Sequence, residues 1–305
     1  MKHLTSVFDL TAADVESVLD RAADLKTKFL RGERPAVWQG RVLTQVFEKP
    51  SLRTRVSFEA AAAQLGGSCV FLSAKEAGLG GRESLADVAR VLSGYSDAIA
   101  LRTFSQQLIN DFAASSSCPV INALSDDSHP CQALADVFTV REALGRVAGK
   151  TLAFIGDGNN VAHSLAIISG LVGMRLVLCT PPGYELPDAF LRDVKRRIPK
   201  AKITTTRDPR AAVKSADVVY TDVWASMGQE SQADQRKAEF APYQINAALL
   251  AAAPPECLFM HCLPARRGEE VTGEVLDGPQ SIAFPQAENR MHLAKGLLVW
   301  LTEQD

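Results

Sequence analysis

The sequence lacks an uninterrupted apolar run of the roughly 18 residues that a membrane span needs, and its first residues contain no apolar core of a signal peptide. A membrane-spanning helix is thereby excluded, and a soluble, unexported chain is expected. It also lacks any cysteine pair spaced as CxxC. Cys69, Cys118, Cys131, Cys179, Cys257 and Cys262 are scattered, which argues for free thiols in a reducing cytoplasm rather than a disulfide framework. Charge of one sign is not in excess: 33 basic against 35 acidic residues leave a formal net charge of −2. No general attraction to nucleic acid or to an anionic membrane follows, although a local basic pocket is compatible with that balance. Internal repeats and low-complexity tracts are missing too. What is present is 47% hydrophobic and 22% charged residues over 305 positions, enough apolar material for a large core and a length that points to two domains.

Thr11-Ala12-Ala13-Asp14 reads as a capping box for a helix in which Val15, Val18, Leu19, Ala22, Leu25 and Phe29 recur at helical spacing up to Gly32. Thereafter short apolar runs at 42–47, 69–72, 98–101 and 120–123 alternate with helical stretches at 51–65, 85–92, 106–114 and 131–143. The pattern restarts at Lys150, with apolar runs at 151–155, 176–179, 203–205, 218–220 and 258–260, helices between them, and a last helix at 286–301. Short buried strands separated by helices predict parallel sheets. The expected fold class is therefore α/β, two doubly wound parallel-sheet domains with the active site in the cleft between them. The expected domains are 1–145 and 146–285, with a C-terminal helix, 286–305, packing back on the first. Ligands of such sheets sit beyond the carboxyl ends of the strands.

Each segment with chemical potential falls at a strand end. Pro50-Ser51-Leu52-Arg53-Thr54-Arg55 places hydroxyls and guanidiniums at a helix amino terminus, a position that suits an oxyanion. An ordinary N-cap with solvent-facing arginines is the plainer reading; Arg102, a cation just past the 98–101 strand of the same sheet, favours the oxyanion. His129-Pro130-Cys131-Gln132 opens another helix and offers a ring N–H beside an amide, or else a cap and turn. Gly156-Asp157-Gly158-Asn159-Asn160 invites a dinucleotide reading, but the third glycine of GxGxxG is absent and Val161 follows, so a small polar ligand suits it better. Asp222, with Ser226-Met227-Gly228 behind it, either caps a helix or takes an α-ammonium group. In His261-Cys262-Leu263-Pro264 the thiol has no cysteine-hydrolase flank, which discounts covalent catalysis, and His261 reads as support for the motif.

Taken together and in order, these segments resemble the aspartate/ornithine carbamoyltransferase family over nearly the whole chain, with Glu288-Asn289-Arg290 as a further match. The resemblance implies that Ser51, Leu52, Arg53, Thr54, Arg102, His129, Gln132, Cys262, Leu263 and Arg290 hold carbamoyl phosphate. By the same resemblance Asn160, Asp222, Ser226 and Met227 hold ornithine. Arg102, His129, Asp222 and Cys262 would act in catalysis, with no metal and no organic cofactor, in a homotrimer or a multiple of trimers. Leu52 stands where the family usually has Thr, so it can contribute only its backbone. Gly78 stands where members often carry a Gln that reaches a neighbouring subunit's phosphate, and Arg82 is a candidate substitute. The implied reaction moves the carbamoyl group to the δ-amine of ornithine, giving citrulline, with the deprotonating group left open between Asp222 and Cys262. An aspartate acceptor would call for extra cations where Asp222 stands. Acetyl- or succinyl-ornithine acceptors, and a non-catalytic binding relative, are the alternatives.

Overall fold

The computed structural model describes residues 2–79, 81, 83–225, 228 and 230–303. The chain divides into two compact units, one running to Phe138 and resuming at Glu288, the other Thr139–Ala287. The first carries, in chain order, α1 (Ala12–Leu30), β1 (Val42–Phe47), α2 (Leu52–Gln64), β2 (Ser68–Ser73), α3 (Leu85–Tyr95), β3 (Ala98–Arg102), α4 (Gln106–Ser115) and β4 (Val120–Leu124), followed by α5 (Pro130–Leu144), which runs past the division. Next come β5 (Thr151–Ile155), α6 (Asn160–Leu171), β6 (Arg175–Cys179), α7 (Asp188–Arg197), β7 (Lys202–Thr206), α8 (Pro209–Val213) and β8 (Val218–Thr221). The order closes with α9 (Ala233–Phe240), α10 (Ala247–Leu250), β9 (Leu258–His261), α11 (Gly273–Leu276) and α12 (Ala283–Thr302).

All strand pairs in both sheets are parallel, in the orders β2-β1-β3-β4 and β7-β6-β5-β8-β9. Each sheet grows outward in both directions from its first strand. The order therefore reverses between β1 and β3 in one sheet and between β5 and β8 in the other, and at such a reversal successive loops leave toward opposite faces and open a crevice. Buried faces on both sides explain the near-continuous apolar strands: β3 and β5 are buried at every position. In the first sheet Val46, Ile99, Leu101 and Val120 pack with Ile109 and Phe112 of α4. In the second, Ala153, Ile155, Val219 and Phe259 pack with Ala212, Val275 and Leu276.

The capping box at α1 is formed as the sequence suggests: Thr11 Oγ1 accepts the Asp14 N–H at 3.1 Å and Asp14 Oδ2 accepts the Thr11 N–H at 2.9 Å. Ser6 and Asp9 repeat the device on a short 3₁₀ turn, Val7–Asp9, that sequence reasoning passed over. The last helix starts at Ala283, three residues before the expected Gln286. Pro285 falls in its first turn, where the missing N–H of a proline costs nothing. Further along, a Cβ at Gly296 would lie 2.7 Å from Val18 O and from Ala22 N, so glycine is what lets α12 press onto the backbone of α1.

His292, on α12, is fully buried against the edge of Phe29, and neither ring nitrogen has a hydrogen-bond partner among the described residues. Glu288 Oε1 stands 3.5 Å from Nε2. Burial, reinforced by Lys295, Lys26 and Arg34, pushes its pKa down to about 3. A folded pKa below the unfolded value of about 6.5 means that the unfolded chain binds the proton first. The contribution of His292 to stability is fully present above the unfolded value of about 6.5 and is lost as pH drops toward 3, by up to about 1.4 kcal/mol per pH unit. Urea unfolding should therefore show a smaller loss between pH 7 and pH 5 for His292→Phe than for the wild type; equal losses would overturn the assignment.

Candidate functional site

In the first unit the site grows from the β1/β3 reversal. Ser51 N-caps α2 in an extended conformation, its hydroxyl accepting the Thr54 N–H at 3.3 Å and donating to Thr54 Oγ1 at 3.0 Å. The cap and the oxyanion readings are thus compatible, because the cap orients the helix terminus. Leu52 is 75% exposed, which leaves only its backbone for a ligand. Arg102 is the last residue of β3 rather than one beyond it; it stays in register with Phe47 of β1, while β4 skips Ala123 opposite it, so that Arg102 pairs with Leu124.

Thr54 is fully buried, and two cations donate to its hydroxyl: Arg290 Nη2 at 2.8 Å and Arg102 Nη1 at 3.4 Å. Arg290 Nη1 also donates to Gln132 Oε1 at 2.8 Å, and Gln132 Nε2 donates to Asp136 Oδ1 at 2.8 Å, so α5 fixes the fork of α12. Arg102 Nε is buried with no partner among the described residues. Burial first, then Arg290 and Arg53, bring the Arg102 pKa down to about 9, which still leaves it cationic at pH 7. His129 is buried beside these groups, and burial together with Arg290 and Arg102 holds it well below the usual imidazole value. The ring is neutral at pH 7 and can donate one N–H without carrying charge. Cys131, between His129 and Gln132, has its thiol pushed up to about 12, mainly by burial, and is inert packing.

In the second unit the β5/β8 reversal is stitched by Thr221 Oγ1, which donates to Ile155 O at 2.6 Å. Asp222 follows directly. Its Oδ2 accepts from Asn159 Nδ2 at 2.9 Å, and its Oδ1 accepts from the Val223 N–H at 2.8 Å and from the Cys262 thiol at 3.0 Å. It caps no helix, since the next described elements are the 3₁₀ turn Glu230–Gln232 and α9. Sequence reasoning places Asn159 in a segment suited to a small polar ligand and assigns only Asn160 to the site; it does not foresee the bond from Asn159 to Asp222. Asn159 Oδ1 caps α6 at Val161 N and Ala162 N while its amide orients Asp222, and Asn160 becomes the first helical residue, half-buried. A buried ion pair was missed as well: Arg236 Nη1 meets Asp157 Oδ2 at 2.7 Å and donates to Trp224 O at 2.8 Å, securing both ends of this wall. No sequence spacing signals either contact.

A dinucleotide is not provided for. A Cβ on Gly158 would lie 2.6 Å from Tyr184 O and 2.8 Å from Leu186 N, so that glycine serves a close backbone crossing, while Asn159 already occupies N–H groups at the start of α6. Asp222, His261 and Cys262 are of metal-ligand type, with donor atoms within 4.8 Å of one another. However, His261 Nδ1 accepts the Leu263 N–H at 2.9 Å and Nε2 faces Glu270 Oε1 at 3.1 Å, so both ring nitrogens are engaged. Ser226, Met227 and Arg82 lie outside the described residues. No helix among those described is long and apolar enough to cross a membrane, and none of the six cysteines is in a disulfide.

Two family models match the chain in succession. The model described as the aspartate/ornithine carbamoyltransferase carbamoyl-P binding domain covers residues 2–142, and its Asp/Orn binding domain counterpart covers 148–301. The ornithine carbamoyltransferase of Bacillus subtilis is 49% identical over 299 residues, 97% of this chain and 92% of the relative. That of Anoxybacillus flavithermus is 48% identical over 302 residues, 98% and 96% of the two chains. Among solved structures, ornithine carbamoyltransferase from Pyrococcus furiosus superposes with a TM-score of 0.96 at 44% identity, covering 100% of this chain and 98% of that one.

Crowded guanidiniums that lean on a neutral hydroxyl should take an oxyanion. Inorganic phosphate at a hundred times its dissociation constant should raise the unfolding free energy by about 2.7 kcal/mol. Arg102→Met should remove most of that gain in denaturant titrations. A wild-type protein indifferent to phosphate would defeat the anion reading.

Proposed function

The chain belongs to the aspartate/ornithine carbamoyltransferase family, and we infer that it transfers the carbamoyl group of carbamoyl phosphate to the δ-amine of L-ornithine, releasing L-citrulline and phosphate. The observation that carries the phosphate half is the buried Arg102 Nε beside Arg290, a directed cationic donor that nothing among the described residues satisfies. Ser51, the Leu52 backbone, Arg53, Thr54, Arg102, Gln132 and Arg290 are assigned to carbamoyl phosphate, with Cys262 and Leu263 as further contacts. Because the Leu263 N–H is engaged by His261, its carbonyl is the group available to the carbamoyl amide. Asp222 is assigned to the α-ammonium of ornithine, with Asn160, Ser226 and Met227 as its companions.

The chemistry follows from charge. The δ-amine attacks the carbamoyl carbon, the carbonyl oxygen becomes an oxyanion, and its collapse expels phosphate; no covalent enzyme intermediate is needed. His129, Arg102 and Thr54 are assigned to that oxygen. Preorganised donors of this kind are each worth about 2.7–4 kcal/mol when removed singly. A neutral His129 suits the role, since its N–H strengthens as negative charge grows without first having to lose a proton. An alkylamine with a pKa of about 10.4 is almost wholly protonated at pH 7, so the attack needs a proton acceptor. Asp222 and the Cys262 thiol, 3.0 Å apart, form the pair to which that task falls. The relatives are named for ornithine, which leaves acetyl- and succinyl-ornithine acceptors and a non-catalytic role without support.

We further assign the product to arginine metabolism in the cytoplasm and the assembly to a trimer or a multiple of trimers. Exposed Leu52 and Val56 on α2 and Val70 on the edge strand β2 are the kind of apolar surface that a subunit contact covers. Light scattering should return three chains or a multiple; a fully active monomer would refute the assembly.

Citrulline formation measured with ornithine, acetylornithine, succinylornithine, putrescine and aspartate tests the reaction, and ornithine should be preferred by orders of magnitude. Asp222→Asn keeps the shape and loses the charge. It should lower ornithine kcat/KM at least a hundredfold while leaving the KM for carbamoyl phosphate nearly untouched. Wild-type ornithine kinetics in that variant would remove Asp222 from the site.

A further inference from the structure

His261 and Glu270 are both fully buried in the second unit, and the reaction as derived uses neither. The proton on His261 can be located from its neighbours. A backbone N–H only donates, so the Leu263 N–H at 2.9 Å from Nδ1 requires a lone pair there. The neutral ring then carries its proton on Nε2, which donates to Glu270 Oε1 at 3.1 Å. The same oxygen accepts the Arg266 N–H, so one carboxylate and one imidazole grip both ends of the 263–266 loop. Gln286 Oε1 fixes the base of the arrangement by accepting the His261 N–H at 2.9 Å. Within that grip Leu263 has a φ of +58°, a left-handed conformation that a leucine adopts only when its surroundings impose it.

The buried carboxylate is an expensive choice for stability alone, because Glu270 Oε2 has no hydrogen-bond partner among the described residues. What an acceptor at that point supplies is a fixed tautomer and ring orientation, as acceptors behind metal-bound histidines do. Resting on the carbamoyl-transfer reading, we propose that His261 is a positioning residue. With its tautomer set by Glu270, Nδ1 consumes the Leu263 N–H and makes that residue present its carbonyl to the carbamoyl group.

Two variants separate the halves of the imidazole. In His261→Asn the amide oxygen replaces Nδ1 and can still accept from Leu263. In His261→Gln the amide reaches the Nε2 position and can still donate to Glu270, but it leaves the Leu263 N–H without a partner. The Gln variant should raise the KM for carbamoyl phosphate at least tenfold with the ornithine KM unchanged, and the Asn variant should stay within about threefold of wild type. Equal losses in both, or the reverse order, would overturn the proposal. Nitrogen-15 NMR of the wild-type histidines is independent of whether either variant folds: His261 should show the Nε2–H tautomer at pH 7, and an Nδ1–H or doubly protonated ring would also overturn it. Absence of citrulline formation by the wild type would instead count against the carbamoyl-transfer reading, while the tautomer measurement would still report on the His261–Glu270 pair.

Discussion

The hydroxyl of Thr54 accepts from two guanidiniums that repel each other, and the rest of the first unit's site is arranged around keeping them there. Like charges that share one hydrogen-bond acceptor repel, at an effective dielectric of about 20, by on the order of a few kcal/mol. The protein tolerates such a cost with neutral acceptors, Thr54 Oγ1 and Gln132 Oε1, and among the described residues no carboxylate pairs with Arg102. A carboxylate would quench the field that an incoming phosphate needs. Burial first, and then the same two cations, hold His129 well below the usual imidazole value, so the group assigned to the carbonyl oxygen shares its electrostatic surroundings with the anion-seeking guanidiniums.

The second unit is organised by the opposite sign. Asp222 collects an asparagine amide, a thiol and a backbone N–H, donors that define where its oxygens point, and it is the group to which we assign the ammonium of the acceptor. Asn159 does double duty, because capping α6 and orienting Asp222 require its oxygen and its nitrogen to face different ways, and that requirement fixes the amide orientation. Farther from Asp222, the ion pair between Asp157 and Arg236 has a comparable role, joining the turn after β5 to the carbonyl of Trp224.

In both sheets these groups gather where the strand order reverses. Parallel pairing sends every β-to-α turn to the same edge, and reversal separates two neighbouring turns so that side chains from both converge. Phe47 and Arg102 are register partners across β1 and β3, and Thr221 next to Asp222 reaches Ile155 across β8 and β5. Buried polar groups at such places survive because most are satisfied, which makes the open Nε of Arg102 conspicuous.

Local chemistry was legible in the sequence. Apolar runs separated by helical periodicity specify parallel strands, Thr11 and Asp14 specify a capped helix, and the order of the Ser51, His129, Asp222 and Cys262 segments specifies a family, because each depends on residues close together in the chain. The strand order belongs to tertiary structure alone, since the same nine apolar runs are compatible with other orders and hence with other reversals. So are the long-range partnerships: Thr54 with Arg290 is separated by 236 positions, and Asn159 with Asp222 by 63. Pro285 inside α12 and Gly158 at a backbone crossing show the same limit in miniature. A residue's intrinsic preference is written in its covalent structure, but whether it ends a helix, admits a neighbouring backbone or cradles a phosphate depends on what the folded chain brings against it.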